Sequence, residues 1–452
     1  MRKLFVIALA MLGIVNAFAQ DAEPKFRRSS LYTIKLDTPK DKEEYKEALK
    51  LMNATYDTMA VPNAYNDFNM AVRHIDYTKL GDVTEDEMAL YRKASKAARG
   101  FGNFAKELAG SAAGAVGANV NTTTITEEEY VAKLMNWFKA DNTANKLVAK
   151  WHNKKGTDPA KVDWDTGDNG LVLLGELGLV GMSEEDKDRI GAGGVVAAAK
   201  DNELETVQNT YVVVNRYGFI SGQELVEELT APLVAQLATA NEMVALGLNK
   251  GIEAIKKKYA TGYFVRCYAY LFQLEYPDIE SFYTNYWEKP EAFKNAGYTL
   301  KYVGKSKGRA RARKADDGNV ISVAVRRATD KCYADLQHDN EQFRPLAALH
   351  VSDDGTQLCA YIGTKEGVTE KSQFDVFEMK MNGDKMVYNK VGSLKVMKGK
   401  VWDNRAGAGT ADDDSGDDDD KDAVKGDASL QYTIFQGKPG KIGEGNFIKL
   451  AK

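Results

Sequence analysis

From Tyr211 to Leu336 apolar runs of strand length alternate with helical stripes, and this alternation constrains the fold more than any other feature of the chain. Tyr211 to Val214 is a continuous apolar run, Tyr263 to Tyr276 is rich in aromatic and β-branched residues, and Tyr298 to Val303 is a third strand candidate. Between them Leu225, Leu229, Leu233 and Leu237, then Val244, Leu248, Ile252 and Ile255, recur at helical spacing, with an interruption expected near Pro232. A further stripe carries Ile321, Val325, Ala328, Cys332 and Leu336. Strands separated by helices require an α/β or α+β layer.

The residues before this region read as mainly helical. Tyr32, Ile34 and Leu36 alternate as in a strand, but Tyr45, Leu49, Met52, Tyr56 and Met59 then recur on one helix face. Thr84-x-x-Glu87 and Thr126-x-x-Glu129 have the spacing of capping boxes, in which the glutamate reaches back to a free backbone N–H at the helix start. The first opens a stripe of Met88, Tyr91, Ala98, Phe101 and Leu108, the second one of Tyr130, Leu134 and Phe138. From about residue 346 the period changes to two. Leu358, Ala360 and Ile362 alternate, Asn382-Gly383 sits where a type I′ hairpin turn is expected, and Val391, Leu394, Val396 and Val401 continue the pattern. Tyr432 to Phe435 and Phe447 to Leu450 close it. The expected architecture is α+β and multidomain: a helix-rich part over 20–155, a mixed α/β part over 156–345, and a small barrel-like β module over 346–452 with an acidic loop at 411–427.

Ile362-Gly363-x-x-x-Gly367-Val368, Phe374-x-Val376-Phe377 and Val391-Gly392-x-Leu394-x-Val396 together resemble the C-terminal β module of flagellar assembly protein T and related envelope proteins. The third glycine of those modules is replaced here by Lys371. Arg27-Arg28-Ser29-Ser30-Leu31-Tyr32 and Val401-Trp402-Asp403-Asn404-Arg405 are similar to a group of uncharacterised secreted proteins of Bacteroidota. The resemblance implies an envelope location and transfers no catalytic residue. Independently, a turn that needs positive φ is expected at Gly363 or Gly367, and the Phe374/Val376 face is expected in the core.

Residues 1–19 have the order of a signal peptide: basic Arg2 and Lys3, an apolar stretch from Leu4 to Val15, and the small-x-small Ala17-Phe18-Ala19. The apolar stretch is too short to span ~30 Å of hydrocarbon. The most apolar later segment, Leu171 to Met182, contains Glu176, so no transmembrane span is expected. Export to the periplasm or the outer-membrane periphery follows. Three cysteines, Cys267, Cys332 and Cys359, would there permit one disulfide and one thiol; their places on apolar faces favour small buried hydrophobes.

No catalytic motif survives inspection. His74, His152, His338 and His350 are isolated in sequence, and no metal-protease, nucleophile-elbow or paired-cysteine pattern occurs. Gly304-Lys305-Ser306 has the ending of a phosphate loop, but its required upstream glycine is Thr299. Gly191-x-Gly193-Gly194 breaks the dinucleotide pattern at Val196. With Asp165 first, Asn169, Gly170 and Glu176 fall at calcium-loop positions five, six and twelve, yet Gly167 fills position three, so a plain turn is favoured. The small-residue stretch Ala109 to Ala118 reads as a connector or a packed helix end.

Charge is sharper. The net charge is −4, but Asp412 to Asp422 holds eight aspartates and one lysine. Against it Lys305, Lys307, Arg309, Arg311 and Arg313 are basic at every second position, with Ser306, Gly308, Ala310 and Ala312 between. Extended, this ribbon has one cationic face and one small, neutral face. It is the candidate polyanion-binding element, weighed against a charged hairpin edge that resists aggregation. No aromatic residue interleaves it, so no specific nucleic-acid partner is expected. The sequence thus points to an exported, non-enzymatic envelope protein that acts by binding or assembly, without a cofactor or metal. Its expected partners are other envelope proteins or acidic glycans. A polyanion- or glycan-binding protein using residues 305–313 is the alternative, and a secreted hydrolase built from dispersed residues the least favoured.

Overall fold

The computed structural model describes residues 29–37, 46–62, 65–91, 126–152, 207–287, 289–312, 320–344, 346–352, 354–382, 385–406, 408–409 and 426–451. The signal-peptide segment, the 109–118 stretch, the 163–176 loop, Gly191 to Gly194, Arg313 and residues 411–425 of the acidic loop lie outside them. In chain order the elements that carry the first part of the fold are β1 (Ser30–Asp37), α1 (Lys46–Thr58), β2 (Asn66–Asp67), β3 (His74–Asp76), α2 (Glu85–Tyr91), α3 (Glu127–Asp141) and α4 (Thr143–His152). There follow β4 (Thr210–Ser221), α5 (Gly222–Leu237), α6 (Glu242–Tyr259), β5 (Tyr263–Glu275), α7 (Ile279–Asn285), α8 (Pro290–Lys294), β6 (Thr299–Ala312) and α9 (Val320–Asp339).

These strands form one mixed sheet in the order β2-β1-β4-β5-β6, with β3 also paired to β1. Strand β1 runs parallel to β2, β3 and β4, whereas β4–β5 and β5–β6 are antiparallel. An N-terminal strand therefore takes an interior place beside β4, with Ser30 opposite Thr210 and Leu36 opposite Arg216. Both faces are covered, which is why the strands read as near-continuous apolar runs. Tyr32, Ile34, Val212, Val214, Tyr270 and Phe272 meet Leu134 and Phe138 of α3, Leu147 and Trp151 of α4, and Phe282 and Phe293 of α7 and α8. On the opposite face Leu31, Tyr211, Val213, Cys267 and Leu271 meet Met52 and Tyr56 of α1 and Val325, Ala328, Cys332 and Leu336 of α9. The result is a helix–sheet–helix sandwich.

Local signals hold where the sequence was explicit. Thr84 Oγ1 accepts from Glu87 N at 3.3 Å while Thr84 N donates to Glu87 Oε2 at 2.7 Å, and Thr126 Oγ1 accepts from Glu129 N at 3.2 Å. A further capping box, Ser221 with Glu224, opens α5. That helix continues through Pro232 to Leu237, so the expected interruption shifts to 238–241, where Asn241 caps α6. Among the described residues no helix is long and apolar enough to cross a membrane.

The C-terminal module comprises β7 (Ala347–Ala348), β8 (His350–Val351), β9 (Leu358–Ala360), β10 (Gln373–Asn382), β11 (Lys385–Lys395), β12 (Thr433–Phe435) and β13 (Asn446–Leu450). It corrects the expectation of a barrel. The strands form two open sheets, β11-β10-β13-β7 and β12-β9-β8, joined through the isolated bridge between Val396 and Phe435. Closure needs strands long enough to tilt and stagger around a ring, and β7, β8, β9 and β12 have only two or three residues each. The core between the sheets does contain the expected Phe374 and Val376, with Leu358, Leu394, Phe435 and Ile448. The β10–β11 hairpin closes on the pair Asn382–Lys385, so Asn382 is the last strand residue rather than the first of the turn.

Candidate functional site

The C-terminal module docks on helix α9. Arg327 Nε donates to Ala406 O at 2.8 Å, Arg344 donates to Gln337 O at 2.9 Å and Leu450 O at 3.2 Å, and Gly367 sits over Ala334. Gly367 adopts φ 75°, the left-handed turn expected of it. Gly363 does not; its backbone is extended, and it must be glycine because a Cβ there would fall 2.3 Å from Trp402 O. The two segments singled out in the sequence, 362–368 and 401–405, thus lie against each other.

Their junction is tightly bonded. Thr364 N donates to Trp402 O at 2.9 Å, Thr364 Oγ1 to Asp403 Oδ1 at 2.8 Å, and Lys365 N to Asn404 Oδ1 at 2.8 Å. Asn404 Nδ2 and Gly363 N both donate to Glu366 Oε2 at 2.8 Å. Arg405 grips Asp403 through Nε at 2.9 Å and its second nitrogen at 2.6 Å. Burial alone would raise the Asp403 carboxyl, but the bonds from Arg405 and Thr364 hold it below the usual carboxylate range. This corner presents Lys365 and Asn404 to a cavity of about 260 Å³ between the module and the sandwich.

The far wall of the cavity comes from three elements. Helix α9 contributes Arg326, Thr329, Asp330 and Tyr333, whose spacing puts them on one face. The end of α1 supplies Met59 to Pro62, and the sheet supplies Thr33 and, just before β3, Arg73. Arg73 lies over the Tyr56 ring at 5.4 Å, and its buried Nε has no hydrogen-bond partner among the described residues. Beneath, Asn215 of β4 donates to Tyr333 OH at 3.0 Å, and the Tyr217 and Thr329 hydroxyls meet at 2.6 Å. Thr329 Oγ1 also donates to Val325 O at 2.8 Å, so this hydroxyl is held as a hydrogen-bonding wall. Beside the site, His74 bridges Asp37 at 3.0 Å and Asp57 at 2.7 Å, and the Asp37 bond raises its pKa.

Three cationic groups, Arg73, Arg326 and Lys365, therefore face the cavity with one carboxyl, Asp330. Burial raises the Asp330 pKa from 3.8 to about 6, against the pull of Lys365 at 3.8 Å. Because the folded-state pKa is raised, the contribution of Asp330 to stability is complete below about pH 4 and is lost as pH rises through about 6. Asp330→Asn, which cannot ionise, should gain on the parent over that window by up to roughly 3 kcal/mol. Denaturant midpoints at pH 4 and pH 7.5 check this; an unchanged difference between the two proteins would contradict it.

The basic ribbon is placed differently. Strand β6 covers it and forms the edge of the sheet. Lys305 Nζ pairs with Glu127 Oε2 at 3.3 Å; burial lowers the Lys305 pKa, and Glu127 opposes the fall. Arg311 donates to Lys258 O and Thr261 O and stacks over Phe264 at 4.8 Å. Lys307 and Arg309 are half-buried. The small face is small because α9 lies on it: Ser306 Oγ donates to Cys332 O at 2.7 Å, and Gly308 N to Cys332 Sγ at 2.8 Å. Gly304-Lys305-Ser306 is accordingly strand, not a phosphate loop. All three cysteines are free and buried, with Cys332 Sγ donating to Cys267 O at 3.1 Å. His152 is a core residue stacked on Phe282 at 3.8 Å, its pKa pushed down to about 3 by burial.

Sequence reasoning named none of Arg73, Arg326, Asp330 and Lys365. One signal existed in α9, where Arg326, Thr329, Asp330 and Tyr333 form a polar face beside the apolar stripe. No family model matches the chain, and neither a curated protein nor a solved structure matches it.

Proposed function

We propose that this protein is exported to the cell envelope and acts there by binding, with a small anionic ligand held in the cavity between the sandwich and the C-terminal module. The convergence of Arg73, Arg326 and Lys365 on one cavity carries the reading. Charge-assisted hydrogen bonds to a carboxylate or phosphate are the strongest such a wall can make, and Arg73 Nε is a buried donor awaiting an acceptor. The Tyr333 hydroxyl and the Asn404 amide add neutral donors. The volume equals about nine waters at ~30 Å³ each, which suits a small organic anion. Export is supported by the charge–apolar–small order of residues 1–19, and the envelope by the resemblance of residues 362–396 to flagellar assembly protein T.

Calorimetric titration with inorganic phosphate and with succinate tests the site. Binding by the parent should fall about 100-fold or more in the Arg73→Ala, Arg326→Ala double variant, at ~1.5 kcal/mol or more per charged hydrogen bond. Neither anion binding, or equal binding by the variant, would refute the proposal. The second reading, polyanion or glycan binding by residues 305–313, is favoured by the edge position of β6. With Lys305 and Arg311 turned to internal partners, it predicts only a weak, salt-sensitive grip.

A further inference from the structure

A second concavity opens where β5 leaves the sheet and β6 enters it. It is a trough of about 720 Å³, within the range of ligand sites, and it shares no residue with the junction cavity. We infer that this trough binds a neutral oligosaccharide, with the rings of Tyr286 and Tyr298 as its platform and the amides of Gln208, Gln273 and Gln342 as its hydroxyl readers.

The platform is rigid. Tyr298 stacks on Tyr276 with centroids 5.7 Å apart and an interplanar angle of 24°, and Tyr286 meets it edge-on at 5.8 Å. Tyr286 is braced in turn by Phe293 at 6.0 Å. Both Tyr286 and Tyr298 are half-buried, so each ring is fixed by packing yet borders the trough. An aromatic ring of this kind offers a flat apolar surface with a polar tip, and little conformational entropy remains to be lost on binding. The matching ligand surface is the patch of C–H groups on one face of a pyranose ring.

The rim reads hydroxyls. Gln273 Nε2 donates to Gln208 O at 3.0 Å, and Gln208 Nε2 donates to Tyr276 O at 2.8 Å. Those bonds orient both amide planes through main-chain acceptors and use one of two N–H donors in each. An amide thus held offers an acceptor oxygen and a second donor side by side, the pair that adjacent sugar hydroxyls satisfy. Gln342 adds an exposed amide on the 3₁₀ turn Glu341–Phe343.

Charge argues for a neutral ligand. The trough contains Glu275 and Lys301, of opposite sign, and Glu275 already accepts from Thr299 Oγ1 at 2.5 Å. Nothing there matches the three convergent cations of the junction cavity, so an anionic ligand has its better site elsewhere. The open form of the trough suits a chain that enters and leaves over a length of several sugar units, rather than a small molecule closed off from water.

The test uses the full-length protein and a panel of neutral hexasaccharides: chitohexaose, cellohexaose, maltohexaose and mannohexaose. Trp287, next to Tyr286 and in ring contact with Tyr283 at 5.4 Å, supplies a fluorescence readout, with calorimetry as the second measure. At least one member should bind, and Tyr286→Ala should weaken it about tenfold, with a several-fold loss in Gln342→Ala, whose exposed side chain can be removed without unfolding. Arg73→Ala should bind the same sugar as the parent does, which separates this site from the junction cavity. No binding of any member at ~10 mM, or binding indifferent to both Tyr286→Ala and Gln342→Ala, overturns the inference. Preference for heparin over every neutral member would also overturn it and move the glycan site to the basic ribbon.

Discussion

Gly308→Val should be among the most destabilising single substitutions in the chain, at about 4 kcal/mol or more. A Cβ at this position would lie 1.9 Å from Ala328 O and 3.0 Å from Cys332 N, both main-chain atoms of α9 that no rotamer change can move. The edge strand and the helix would have to part. That movement would break the Ser306 and Gly308 bonds to Cys332 and open the core around Cys267. Gly304 is the control: the nearest atom to its Cβ position is Asn340 Oδ1 at 3.5 Å, so Gly304→Ala should cost less than about 1 kcal/mol. Urea unfolding of both variants decides the matter. A Gly308→Val midpoint close to the parent's would mean that α9 does not rest on β6 as described.

Trp151→Ala should cost about 3–5 kcal/mol. The indole is fully buried in α4, stacked on Phe68 with centroids 4.5 Å apart, and its Nε1 donates to Thr210 Oγ1 at 2.7 Å. The substitution removes the largest side chain fully buried among the described residues and also leaves the Thr210 hydroxyl, in the first residue of β4, without its donor. Trp151→Phe keeps most of the volume and should lose about half as much. Thermal melts followed by far-ultraviolet circular dichroism measure both. Equal losses for alanine and phenylalanine would mean that the hydrogen bond, not the packing, holds α4 to the sheet.

Helix and strand positions were legible because their causes are local. The 3.6-residue stripe of α9, the alternation of β1, the threonine–glutamate box at 84–87 and the threonine cap at 126 each act within a few residues, and each appears where the sequence put it. The ribbon's alternation was legible as a strand for the same reason. Its purpose was not. Seen alone, a small neutral face beside a basic one suggests a solvated edge; beneath α9, the same small residues permit close approach, and Lys305 and Arg311 turn to Glu127 and to backbone carbonyls. The barrel expectation failed for a related cause, since alternation reports that a strand is half-buried but not which strand lies beside it.

By itself, then, the sequence determined much of the secondary structure, the buried character of the cysteines, the need for glycine at 367, and the opposition of basic and acidic runs. The tertiary structure alone decided that β1 pairs with β4, each residue with the one 180 positions later, that two open sheets replace a barrel, and that the segments around Gly363 and Trp402 lock together. It alone brought Arg73, Arg326, Asp330 and Lys365 from three distant stretches to one cavity. The physical reason is range: periodicity and capping are set by neighbours along the chain, whereas strand order and a charged cavity depend on which apolar faces bury each other, a choice made only when the whole chain packs.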